Sequence, residues 1–88
     1  MYNLAIKESL DKKFRKLARK DKEMLRIIQR KVNDILANPH RFKPLKKPLQ
    51  NKRRVHIAGS FVLIYSINEK EKVVTLHDFD HHDNIYES

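Results

Sequence analysis

The chain has 88 residues, with 20 Lys and Arg against 11 Asp and Glu, a formal net charge of +9, a pI near 10.0 and no cysteine. A chain of this length has room for one hydrophobic core and not two, and the missing cysteines exclude disulfide frameworks, thiolate metal sites and thiol nucleophiles. Met1 to Glu8 lacks the apolar region of a signal peptide and no stretch approaches the ~20 apolar residues of a membrane span, so a single soluble cytoplasmic domain over residues 1–88, without membrane contact, is expected.

Tyr2, Leu4 and Ile6 alternate with Asn3, Ala5 and Lys7, which predicts a short half-buried first strand. Ser9 is a candidate cap for a helix running to about Arg19, in which Leu10, Phe14 and Leu17 form one apolar stripe and Lys12, Lys13, Arg15 and Lys16 lie mostly outside. Asp21 is placed to cap a second helix with Leu25, Ile28, Val32, Ile35 and Leu36 at the same period. Asn38-Pro39 stops it, because a proline disfavours helical geometry in the residue before it. His40 to Lys52, with Pro44 and Pro48 among lysines, reads as a loop. The period then changes from 3.6 to 2. Arg54 to Ala58 predicts a strand, Gly59-Ser60 a tight turn, Phe61 to Ile67 a central strand, Asn68 to Glu71 a second turn and Lys72 to Phe79 a last strand. Asp80 to Tyr86 is too polar for a core strand and short for a helix. The order β-α-α-β-β-β predicts an α+β fold in which a helical hairpin packs on a small antiparallel sheet, with the first strand at an edge of the meander.

The positive charge is localised. No acidic residue occurs between Asp34 and Glu69, whereas Arg41, Lys43, Lys46, Lys47, Lys52, Arg53 and Arg54 crowd into that gap. An acid-free basic run points to a polyanion such as RNA, although a solvated basic face is the plainer reading of the lysines in the first helix. Strand alternation places Val55 and Ile57 on one face and Arg54 and His56 on the other, and His81, His82 and Tyr86 follow the last strand of the same meander. RNA breaks when its 2′-hydroxyl is deprotonated to attack the neighbouring phosphorus while the departing 5′-oxygen is protonated. Histidine, tyrosine, lysine and arginine supply base, acid and cation without a metal. His77, Asp78, Asp80, His81, His82 and Asp83 also have the composition of a metal cluster, but their spacing matches no closed zinc pattern.

The order β-α-α-β-β-β resembles the RelE/ParE toxin superfamily when taken with four local features. These are Asn38-Pro39 closing the second helix, Pro48-Leu49 in the loop, Phe61-Val62-Leu63-Ile64-Tyr65 as the central strand, and a terminal His-x-x-x-Tyr. The resemblance covers nearly the whole chain. Val55-His56-Ile57 before that strand, with His82 four residues ahead of Tyr86, is similar to the histidine-using, YafQ-like members of the RelE branch. It implies a toxin of a type II toxin-antitoxin system. Such a toxin is a metal-independent endoribonuclease (mRNA interferase) that cleaves messenger RNA in the decoding site of the ribosome, uses no cofactor, and is held inactive by a cognate RelB-like antitoxin that wraps it.

Carried over, the resemblance makes His56 and His82 the catalytic imidazoles and Tyr86 the terminal aromatic that positions or stacks on a base, with Arg54 as a strand cation. Lys47 takes the place before Pro48-Leu49 where the histidine-using members have another histidine. Lys43, Lys46, Lys52, Arg53 and His81 are the accompanying RNA-binding candidates. Ser60 stands where that subgroup has aspartate and Val62 where many RelE relatives have a catalytic arginine, so Arg53 or Arg54 is the candidate replacement cation. Whether His81 or His82 is the equivalent imidazole depends on a one-residue choice of register. A ParE-like toxin that poisons a topoisomerase without nuclease chemistry, and a plain RNA-binding module, are the rival readings.

Overall fold

The structure, a computed structural model, describes residues 1–47 and 51–86, apart from the side chain of Tyr86. Its elements follow the expected order: β1 (Asn3–Ile6), α1 (Glu8–Lys20), α2 (Lys22–Ala37), a 3-10 turn (Pro39–Arg41), β2 (Lys52–Ile57), β3 (Phe61–Asn68), β4 (Val73–His81) and α3 (His82–Tyr86). Among the described residues, no helix is long and apolar enough to cross a membrane.

Each helix end has a local cause. Asp21 caps α2 as its position predicts, accepting a hydrogen bond from the Met24 N–H at 3.0 Å. Ser9 does not cap α1: the cap position falls two residues earlier, at Lys7, with no side-chain cap. The Lys7 carbonyl accepts instead from the N–H groups of Leu10 and Asp11, and the Lys7 N–H donates to the Leu76 carbonyl at 3.0 Å. The inward stripes of the two helices bury Leu10, Ile28, Val32 and Ile35, with Phe14 and Leu17 half-buried.

The sheet has the order β1-β4-β3-β2. β2, β3 and β4 form the expected antiparallel meander, but β1 pairs with β4 in parallel, so the whole sheet is mixed rather than antiparallel. The loop between α2 and β2 explains the difference. It runs back along the outside of β2, with an antiparallel bridge between Pro44 and Arg53 and backbone bonds from Leu45 N–H to Lys52 and from Arg54 N–H to Lys43. That return sets β2, and therefore β4, in the same direction as β1. An edge position also tolerates Pro44, which has no N–H to donate. Pro48-Leu49 lies outside the described residues.

The core lies between the helical hairpin and one face of the sheet. Val55 and Ile57 from β2, Leu63 and Tyr65 from β3, and Val74, Leu76 and Phe79 from β4 join the helical residues in one cluster. Each fully buried aliphatic side chain contributes about 1.5–3 kcal/mol. Strict alternation cannot put both Leu76 and Phe79 on that face. A bulge resolves this: Ile64 pairs with Asp78 and Tyr65 with Leu76, which leaves His77 as the extra residue. The hairpin does not reach over β1, so Leu4 and Ile6 remain 41% and 36% exposed instead of half-buried. They border an apolar groove of about 610 Å³ with Phe14, Leu25, Val32 and Leu36.

Two further features hold the sheet ends. The Glu69 carboxylate accepts from Tyr2 Oη and His40 Nε2, each at 2.5 Å, and pairs with Lys72 Nζ at 2.7 Å, so its pKa is drawn down to about 2, chiefly by the Lys72 hydrogen bond. The buried Tyr65 hydroxyl donates to the Pro39 carbonyl at 2.6 Å, and burial pushes its pKa up to about 12. Tyr65→Phe removes the donor and strands a buried carbonyl, so equilibrium denaturation is expected to show a loss of about 1–3 kcal/mol. In the β2–β3 turn, Ala58 has a φ of 51° and Gly59 a φ of 81°. Ala58→Gly relieves the left-handed strain at that position and is expected to raise stability by about 1 kcal/mol in the same assay.

Candidate functional site

The sheet face turned away from the helices carries the polar side chains, because alternation in β2 buries Val55 and Ile57 on the other side. His56 is exposed and Arg54 half-buried on this open face. The chain leaves β4 at His81 and turns at once into α3, and the His82 N–H donates to the Ser60 carbonyl at 2.8 Å. This brings His82 over the end of β2. The rings of His56 and His82 lie 6.1 Å apart between centroids and within 20° of parallel.

His81 belongs to the opposite face. It is the last residue of β4, pairs with Phe61, and meets the Phe61 ring edge-on at 5.6 Å, while its Nδ1 lies 3.3 Å from the Asp83 N–H. Of the two adjacent histidines, His82 is the one beside His56.

Next to the histidine pair lies a cleft of about 830 Å³, lined by Lys43, Lys46, Lys52 and Arg54 from the basic segment and by Pro44, Leu45, Ile64 and Ile85 as apolar walls. Lys47 is exposed and is not among the lining residues. Arg53 points the other way, donating to the Phe42 carbonyl at 2.6 Å and the His40 carbonyl at 3.3 Å. It fastens the loop after α2 to β2 and stands apart from the cleft cations. Tyr86 closes α3, and its side chain lies outside the described residues.

Sequence reasoning did not single out Lys7 or Asn84, and gave His77 and Asp78 only as part of a metal cluster; all four line the cleft. Lys7 arrives there because β1 pairs in parallel with β4, a long-range fact with no local signal. Among the described residues, no three His, Asp or Glu side chains converge as a metal-ion set. Asp78 and Asp80 are instead tied to α1, with Lys13 Nζ 3.0 Å from Asp78 Oδ1, 3.1 Å from the Phe79 carbonyl and 3.6 Å from Asp80 Oδ2.

His77 is the bulged residue, and its Nε2 lies 2.6 Å from Ser66 Oγ. Burial, followed by the nearby charges of Lys7 and Lys52, depresses its basicity below the ordinary imidazole value of 6.5. Among the described residues its buried Nδ1 has no hydrogen-bond partner. The sign of the pH effect follows. An imidazole held neutral in the fold and freely protonated in the unfolded chain stabilises the fold above pH 6.5 and withdraws that support as the pH drops below it. NMR titration is expected to give His77 a midpoint below 6.5, moving up when a polyanion in the cleft offsets Lys7 and Lys52.

The arrangement therefore combines two imidazoles, an adjacent guanidinium and a cation-lined trough with apolar walls for bases. Such a surface suits a single-stranded polyanion.

Comparison with known proteins agrees with the architecture. The family described as "ParE toxin of type II toxin-antitoxin system, parDE" matches residues 4–86. An uncharacterized protein of Methanosarcina mazei is 55% identical over 86 residues, covering 98% of this chain and all of that one. A protein of Methanocaldococcus jannaschii that carries the name toxin RelE4 is 49% identical over 86 residues, covering 98% of this chain and 92% of that one. The fold is shared with the solved E. coli RelBE toxin-antitoxin complex at a TM-score of 0.79 and 18% identity, over 92% of this chain and 96% of that chain. The chain belongs to the ParE toxin family of type II toxin-antitoxin systems and, within the RelE/ParE superfamily, to the RelE branch.

Proposed function

We propose that this toxin acts in the cytoplasm as a metal-independent endoribonuclease that cuts messenger RNA in the decoding site of the ribosome, and that a cognate RelB-like antitoxin holds it inactive. The observation that carries the reading is the paired placement of His56 and His82 beside Arg54 and the basic cleft.

In this reading one imidazole takes the proton of the 2′-hydroxyl, whose oxygen attacks the adjacent phosphorus, while the other donates a proton to the departing 5′-oxygen. The products are a 2′,3′-cyclic phosphate and a free 5′-hydroxyl. Two imidazoles each within about 3 Å of their oxygen reach both sides of one phosphate at the observed ring separation. Arg54 meets the charge that grows on the phosphorane, while Lys43, Lys46 and Lys52 hold the flanking backbone and Tyr86 supports a base. Lys47 adds charge at the rim, and Arg53 braces the loop that presents the lysines.

The family description itself favours a second reading, in which a ParE-type toxin poisons a DNA topoisomerase by protein contact. That role has no use for two opposed imidazoles. Cell-free translation separates the two when the 5′ ends of message fragments are mapped with and without ribosomes. Cuts that require ribosomes and fall by at least about 100-fold in the His56→Ala/His82→Ala double variant are expected. Intact messages together with DNA breaks in expressing cells would instead establish topoisomerase poisoning.

A further inference from the structure

α3 has five residues, too few to be stable as an isolated helix, so the position of His82 depends on what α3 is tied to. One tie is the backbone bond from His82 to Ser60. A second tie runs through the side chain of Asp80. Its Oδ1 accepts the Asn84 side-chain amide at 3.0 Å and the His81 N–H at 2.7 Å, while Lys13 Nζ on α1 stands 3.6 Å from Oδ2.

Lys13 also donates to the Phe79 carbonyl and bonds Asp78, so α1, the free edge of β4 and α3 meet at this ammonium and its two carboxylates. β1 pairs β4 only through Leu76, which leaves that edge to be closed by side chains. The Asp78 and Asp80 carboxylates each fold back on the following N–H, at 2.8 and 2.7 Å. Asp80 is thereby fixed before it receives Asn84. The Asn84 and His81 hydrogen bonds also hold its carboxyl below the ordinary carboxylate range, so it is ionised at neutral pH.

We propose that Asp80 is a positioning residue: fixed by Lys13 and the His81 amide, it clamps α3 through Asn84 and so sets the His82 imidazole against His56. In this role the carboxylate acts through the helix. The consequence for catalysis rests on the nuclease reading above, whereas the clamp itself does not.

Hydrogen exchange and NMR on the full chain test the clamp without any assay of cutting. In Asp80→Ala and in Asn84→Ala, amide exchange over residues 82–86 is expected to rise about ten-fold, the factor that corresponds to losing one hydrogen bond to a charged group, with exchange in α2 and β3 unchanged. The Asp80→Ala/Asn84→Ala double variant is expected to exchange no faster than Asp80→Ala alone, since both act on one link. The ring-to-ring contact between His56 and His82 is expected to weaken in both single variants. Unchanged exchange over 82–86, additive effects in the double variant, or an undisturbed ring contact would each overturn the clamp. Asn84 is exposed, so Asn84→Ala supplies the readout should Asp80→Ala fail to fold. In ribosome-dependent cutting, Asp80→Ala is expected to lower kcat about ten-fold with KM unchanged. A wild-type chain that cuts nothing would refute the nuclease reading and leave the exchange result to decide the clamp.

Discussion

One extra residue in β4 sets the terms for the rest of this molecule. β4 must deliver Val74, Leu76 and Phe79 to the core beneath the helices, and the interval from Leu76 to Phe79 is incompatible with a regular pleat. The bulge at His77 absorbs the mismatch. It restores the hydrophobic register for Phe79 and turns an imidazole toward the open face, where it lines the cleft beside Lys52 and Lys7. The same irregularity therefore shapes both the core and one wall of the cleft.

The helices, the meander and the inward residues of β2 were all legible in the sequence, since periods of 3.6 and 2 report burial directly. The same logic failed at β4, where the expected alternation from Lys72 to Phe79 carries no mark of the bulge. It also failed at β1, whose apolar residues alternate as for a covered strand although the hairpin leaves Leu4 and Ile6 open. The histidine pair illustrates a similar boundary. Local reasoning brought His81, His82 and His56 to one region, and only the exact exit of the chain from β4 separates the imidazole that packs on Phe61 from the one that faces His56. Arg53 and Arg54, neighbours in sequence, are divided by alternation into a brace for the loop and a lining residue of the cleft.

Charge and apolar surface are also divided. Lys43, Lys46, Lys52 and Arg54 gather at the cleft on the open face, while Leu4 and Ile6 of β1 border the apolar groove lined by the two long helices. On the function proposed above, this separation lets an antitoxin segment and the message be held by different physical forces.

The parallel pairing of β1 with β4 joins residues 3 to 6 with residues 73 to 76. Closing so long a loop has to await the synthesis of β4, and contacts of such sequence separation form late because their entropic cost precedes their reward. Lys7 and α3 reach the cleft only after that closure. The cleft is therefore among the last parts of this fold to form.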